Sequence, residues 1–291
     1  MRSTVKFVGD DAIVVDMGRT LRVLGTTVVG GRGDSRYVVM GRVREYVEDF
    51  ASYAAALSSS MGLPPGTPVF LTAADLRSSY IRSSCDVDGA SVDVHATFGL
   101  SGMACIGEED EGPRDYGTVN VLVITSARLS WTGMLDALRS LSEVKGALSV
   151  LLGLSCRTSA AAGTVSDATL LAAPRGHIRY SGLATPHGRA AACALMRAFA
   201  GLAERLGAGR RLGLALGLDG VDCGDVDPDL EAVIRAARCL QLAGAAGLLG
   251  GGRAWRDRSI HEVLARIVDE GRAGVIRELA AEVVGRCKNN K

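Results

Sequence analysis

Gly117-Thr118-Val119-Asn120-Val121-Leu122-Val123-Ile124-Thr125 is the stretch on which the fold turns. Its apolar, β-branched run reads as a strand covered on both faces, the kind found inside a sheet. Two polar residues open it. Thr118 and Asn120 lie two apart, so on a strand they point to the same face. Downstream, Ser130 to Leu152 carries Met134, Leu135, Leu138, Leu141, Val144 and Leu148 near helical spacing, and Ala168 to Ala173 is a second apolar strand stopped by Pro174. Strand, helix and strand follow one another directly.

Upstream of this unit the chain reads as a meander of short strands, Ala12 to Val15, Val23 to Val29 and Tyr37 to Met40, separated by Gly18-Arg19 and Gly30-Gly31-Arg32-Gly33-Asp34. Glu45 to Met61 has helical spacing and stops at Gly62 before Pro64-Pro65, Val69 to Ala73 is a strand candidate, and Ala73 to Ser79 a short helix or turn. Ser91 to Phe98 alternates as a half-buried strand does, and Glu108 to Glu111 is an acidic, solvated loop. Beyond the unit, Thr185-Pro186 starts a helix, with Thr as N-cap and Pro at the first helical position. Meander strands with packed helices make an α+β class of layered sheets and helices. The expected division is a core domain over residues 1–206 and a helical C-terminal extension over 207–291, with helices around Leu230 to Leu242 and Ile260 to Val284.

The balance of 33 basic against 32 acidic residues leaves a net charge of +1, so no broad basic surface for nucleic acid is expected. Aromatics at 4% supply little for a base-stacking or sugar-binding platform. The N-terminal stretch is not a secretory signal and no long uncharged apolar segment occurs, so a cytoplasmic protein with no membrane insertion is expected. Seven scattered cysteines form no Cys-x-x-Cys pair and no histidine stands at ligand spacing, so no metal is expected. In a reducing cytoplasm such cysteines act as small buried apolar residues. The Arg-rich, amide-poor composition fits a thermophile, in which intracellular disulfides are an exception to that rule.

The polar residues that interrupt the central unit are where chemistry is expected. Asn120 offers an amide donor for a carbonyl or oxyanion, and Thr118 a hydroxyl. Glu143 and Lys145 are two apart on a helix and cannot share a face. Glu143 falls near the stripe of Leu135, Leu138, Leu141 and Val144 and reads as the inward group, a general base or an acceptor orienting Asn120; a solvated helix face is the competing reading. Gly163-Thr164-Val165-Ser166-Asp167 precedes a strand and presents N–H groups and hydroxyls, with no dinucleotide or Walker pattern. His187 lies in the first turn after Thr185, where the helix dipole favours the neutral imidazole. His95 reads as a packed strand histidine, while His177 and His261 carry no pattern.

In order and spacing, Gly117 to Leu122, Ser142-Glu143-Val144-Lys145 with Ala147-Leu148, Gly163 to Asp167, and Tyr180-Ser181-Gly182-Leu183-Ala184-Thr185 resemble the core of adenosylcobinamide amidohydrolases. Earlier blocks at Arg22 to Gly31, Phe70 to Ala74 and Ala96 to Ser101 are similar too, and the resemblance covers roughly residues 12 to 200. It implies hydrolysis of the amide joining a corrin-ring propionate to aminopropanol, giving adenosylcobyric acid. The corrinoid is substrate, no cofactor is implied, and a homo-oligomer is allowed. The implied catalytic groups are Thr118, Asn120 and Glu143, with Gly163, Thr164, Ser166, Asp167, Thr185 and His187 binding substrate. The chain departs from the pattern at Gly25 and Val29, where Ser and Asn are expected, and at Gly102, where Asn often stands. Those departures support an alternative, a non-catalytic corrinoid-binding salvage protein. A weaker similarity, to the self-processing amidohydrolase and ornithine acetyltransferase group, implies a layered αββα fold, Thr118 as nucleophile and cleavage before it, hence an acyltransferase or peptidase.

Overall fold

The computed structural model describes residues 3–105, 117–151 and 161–205. The acidic run at Glu108 to Glu111 and the expected C-terminal helices lie outside the described residues, and so do Cys156, Cys223, Cys239 and Cys287.

Ten strands and four helices follow in the order β1 (Thr4–Val8), β2 (Ala12–Gly25), β3 (Arg32–Arg42), α1 (Phe50–Ser60), β4 (Val69–Thr72), α2 (Leu76–Ser79), β5 (Tyr80–Val87), β6 (Ala90–Phe98), β7 (Met103–Cys105), β8 (Val119–Thr125), α3 (Trp131–Leu151), β9 (Ala161–Thr164), β10 (Ala168–Ala173) and α4 (Pro186–Arg205) among the described residues. One sheet runs β4-β3-β2-β10-β8-β6-β5 with β1 beside β2, and β7 pairs with β9 apart from it. The unit expected from Gly117 onward is there: β8 and β10 lie parallel and adjacent, with α3 as the crossover. All seven residues of β8 are buried, which explains why it lacks the alternation of a one-sided strand.

Four strand-to-strand steps separate β4 from β8, about 19 Å in a flat sheet. Yet the Asn120 side-chain amide on β8 donates to the Leu71 carbonyl on β4 at 2.9 Å. The sheet therefore curls onto itself, and its two halves enclose a core of Ile13, Val15, Met40, Phe70, Leu122 and Leu170. On the outer face of β6, β8 and β10, Val94, Val121, Val123 and Leu171 meet α3 and α4 through Met134, Leu141, Leu195 and Phe199. On the outer face of the other half, α1 packs Ala54 against Val39 and Val69. The layering is helix, sheet, sheet, helix, made from a single folded-over sheet.

Several local expectations give way. The turn at Gly18-Arg19 is an irregularity inside one long strand: β3 pairs with β2 on both sides of it, from Ala12 to Asp16 and again from Leu21 to Leu24. The Asp16 carboxylate accepts from the Gly18 N–H there at 2.8 Å, which lets the strand kink while the ladder resumes. The kink also changes neighbours. β1 pairs with the first half of β2, and β10 with its end. Ser91 to Phe98 is buried on both faces rather than one, because α4 covers one side and a polar network the other. β5, too polar to register as a strand, pairs along its whole length with β6. Asp49, not a residue near Glu45, caps α1, its carboxylate accepting from the Ala51 and Ser52 N–H groups.

Cys85 on β5 and Cys193 on α4 form a disulfide, an exception to the expectation that the cysteines act as small buried apolar residues. It bridges 108 residues of sequence and pins α4 to the sheet edge, worth about 2–4 kcal/mol for a cross-link of this kind. No helix among the described residues is long and apolar enough to cross a membrane.

Candidate functional site

Because β8 and β10 are parallel, their first residues come to the same end of the sheet, and α3, running back, brings its last turns there. At that end the β9–β10 turn folds Asp167 back over Gly163. The Gly163 backbone sits at φ +157°, and a Cβ there would come within 2.5 Å of the Asp167 carboxylate, so only glycine lets the carboxylate turn inward.

One oxygen of Asp167 accepts from the Val119 N–H at 2.8 Å and from the Thr164 hydroxyl. The other lies 3.2 Å from the Lys145 ammonium. Lys145 also donates to the Val119 carbonyl at 3.1 Å and to the Thr169 hydroxyl at 3.5 Å, so its three donors are all engaged. Burial pushes the Lys145 ammonium below the usual lysine range, and the charge and hydrogen bond of Asp167 oppose that shift. Beside the pair, the Thr118 and Ser166 hydroxyls are 2.6 Å apart, and Ser166 donates to the Gly117 carbonyl at 3.0 Å.

The pair opens onto a cleft of about 350 Å³ lined by Thr26, Leu138, Ser142, Lys145, Asp167 and Thr169. The Lys145 and Asp167 side chains are 9% and 19% exposed, enough for contact with a ligand while the protein holds both charges in place. A ligand bound here meets an ammonium, a carboxylate and two threonine hydroxyls in one small volume, the set needed to polarise a carbonyl and accept a proton from water. The volume suits a side arm, not a whole macrocycle.

The expected residues divide into three groups. Thr118, Gly163, Thr164, Ser166 and Asp167 come together as the sequence order implied. Asn120 shares the face of Thr118 but points between the two halves of the sheet, where its amide donates to the Leu71 carbonyl and its own carbonyl oxygen has no partner among the described residues. Glu143 is a correction: its side chain is 48% exposed and pairs with Arg139 one turn earlier. The inward member of that pair is Lys145. The signal for it was present, since Leu138, Leu141, Lys145 and Leu148 follow one another at the three- and four-residue intervals of a single helix face, whereas Glu143 falls between them.

Thr185 and His187 are also elsewhere. Thr185 caps α4, accepting from the Gly188 N–H at 3.1 Å, and His187 lines a small recess beside Thr125 at the far end of β8, about 20 Å of strand from Thr118. Burial holds the His187 imidazole below its ordinary value. Thr26 and Thr169 were missed. The reason for Thr26 lies next door: at Gly25, where the resemblance expected a serine, a Cβ would come 2.1 Å from the Thr169 carbonyl, so hydroxyls reach the cleft from the flanking threonines instead. No group of three or more His, Cys, Asp or Glu side chains capable of holding a metal occurs among the described residues.

The family model described as adenosylcobinamide amidohydrolase matches residues 2–207, a stretch that contains every residue of this cleft. No curated protein matches the chain.

Proposed function

This chain belongs to the adenosylcobinamide amidohydrolase family, and from that premise we propose that it hydrolyses the amide joining the corrin-ring propionate of adenosylcobinamide to aminopropanol, releasing adenosylcobyric acid. The observation that carries the reading is the Lys145–Asp167 pair, a buried acid–base couple that opens onto a cleft.

The propionate arm enters the cleft with its amide carbonyl toward the Lys145 ammonium, while the ring stays outside. Asp167 takes a proton from water as its oxygen attacks the carbonyl carbon. The oxyanion that forms accepts from the Thr26 hydroxyl and is stabilised through space by the charge of the nearby ammonium. Collapse breaks the C–N bond, and the departing amine takes the proton from Asp167. Val119 and Thr164 fix the carboxylate by its other oxygen, so that the oxygen facing Lys145 is the one that accepts the proton.

Incubation with adenosylcobinamide, followed by chromatography for adenosylcobyric acid, tests this. Product from the native chain and none from Asp167→Asn is the expected result. Corrinoid binding in a visible-absorbance titration without any product identifies the non-catalytic corrinoid-binding protein instead, and absence of both rejects the family's substrate for this chain.

A second reading, self-cleavage before Thr118, is favoured by one contact. Ser166 donates to the Gly117 carbonyl while its oxygen stands 2.6 Å from the Thr118 hydroxyl, the arrangement in which that hydroxyl attacks the preceding carbonyl. Intact mass decides it: two chains divided before Thr118 support self-processing, and a single chain of 30.3 kDa excludes it.

A further inference from the structure

Arginine in this fold is usually matched to a carboxylate, as in Arg36–Asp16, Arg44–Asp11, Arg77–Asp10 and Arg189–Asp88. Arg22 and Arg32 differ. Neither makes an ion pair among the described residues; instead their guanidinium carbons lie 4.4 Å and 5.2 Å from the ring centre of Trp131, the first residue of α3. Trp131 is 39% exposed. Asp34, across the β2–β3 ladder from Arg22, is already forked by Arg175. Arg22 and Arg32 thus flank an open indole ring without a carboxylate of their own among the described residues.

Stacking on an indole uses the flat face of a guanidinium and leaves its N–H edge free, and it fixes the plane in which that edge points. One edge is barely used: among the described residues Arg22 reaches only the Leu129 carbonyl, at 3.5 Å, and its buried Nε has no partner there. Two uncompensated, oriented forks suit a tetrahedral dianion, which accepts paired hydrogen bonds from each. We propose that Arg22, Arg32 and Trp131 form a subsite for a phosphate group. Arg22 and Thr26 point to one side of β2, about 13 Å apart along the strand, and Trp131 and Lys145 share one side of α3, about 21 Å apart. The phosphate is carried either by the corrinoid bound in the cleft or by a separate small phosphate ester.

Tryptophan fluorescence of the full chain, titrated with sodium pyrophosphate against sodium chloride of equal ionic strength, tests the subsite without any corrinoid. A saturable change is expected that persists in Trp255→Phe, so that it reports Trp131, and that needs about tenfold more pyrophosphate in Arg32→Met. Arg32 is exposed, so that variant keeps the fold. Arg22→Lys, which retains the charge and loses the fork, is expected to weaken binding as well. A change that is linear, that chloride reproduces, or that both arginine variants retain in full overturns the subsite. Phosphorylated cobinamide is the second arm: tighter binding than pyrophosphate, lost in Arg32→Met, assigns the phosphate to the corrinoid, and equal affinity assigns it to a separate ester.

Discussion

Ser3, Tyr80, Arg82, Asp93 and His95 form one polar cluster, and Thr118, Lys145, Thr164, Ser166 and Asp167 form another. Each combines a carboxylate, a nitrogen base and hydroxyls. In the first, the Ser3 hydroxyl is 2.6 Å from Asp93 and 2.8 Å from His95, the Tyr80 hydroxyl is 2.6 Å from the other ring nitrogen, and Arg82 forks Asp93 at 3.0 and 2.7 Å. A serine, a histidine and an aspartate in mutual contact have the residue types of a hydrolytic triad. But His95 is 0% exposed and Asp93 nearly so, and the network sits under the N-terminal hairpin with its donors and acceptors used among themselves. The second cluster has fewer of the expected residue types and a cleft in front of it. Access, not the set of side chains, separates a structural network from a site where chemistry is possible.

Substitutions that divide activity from stability sharpen this contrast. The largest effect is expected for Asp167→Asn, which keeps the shape of the side chain and removes the base: turnover per folded molecule falls by about a hundredfold or more, and the melting temperature falls as well because the buried Lys145 ammonium loses its counter-charge. If hydrolysis survives at the native rate, water activation by Asp167 is wrong. Asp93→Ala tests the other half. It strands Arg82, Ser3 and His95 beside a buried gap, and with Arg82 partly solvated a loss of about 3 kcal/mol in urea unfolding is expected, with turnover per folded molecule unchanged. A catalytic defect without destabilisation reverses the assignment of the two clusters.

Acid separates them further. Burial holds the His95 imidazole below its ordinary 6.5, against the opposing pull of Asp93. The folded chain therefore binds fewer protons than the unfolded one just below that value. The stability associated with His95 is full above pH 6.5 and is lost as pH falls toward its folded value. Burial alone would raise the Asp93 carboxyl; hydrogen bonds from His95, Arg82 and Ser3 outweigh it and hold the group well below its ordinary 3.8, so a second loss begins only under that pH. His95→Gln is expected to flatten the first limb in denaturant midpoints taken across the acid range, and an unchanged limb places the titrating group elsewhere.

The smallest effect is expected at Asn120. Its amide ties β8 to β4 across the fold of the sheet, so Asn120→Ala is expected to lower stability by about 1–2 kcal/mol and to spare the rate. A large fall in turnover with stability intact returns Asn120 to the role of oxyanion donor that its neighbour Thr118 suggested.

What was legible in the chain by itself follows the range of the signals. The apolar run of β8, the helical spacing of α3, the stop at Pro174 and the Thr185-Pro186 start of α4 are local patterns, and each stands as read. Thr118, Thr164, Ser166 and Asp167 meet because two parallel strands joined by one helix must begin at the same end of the sheet, whereas Asn120 and Glu143, expected beside them, point elsewhere. Beyond that the sequence is silent for a physical reason. Whether Asn120 faces a substrate or the Leu71 carbonyl, whether Cys85 meets Cys193, and whether Asp93 and His95 are sealed depend on how the sheet curls and on which segments, distant in sequence, close over it. Lys145 stands between the two cases. Its helical spacing put it on the buried face, but a buried ammonium is stable only beside a partner, and that partner, Asp167, arrives from another strand once the chain has folded.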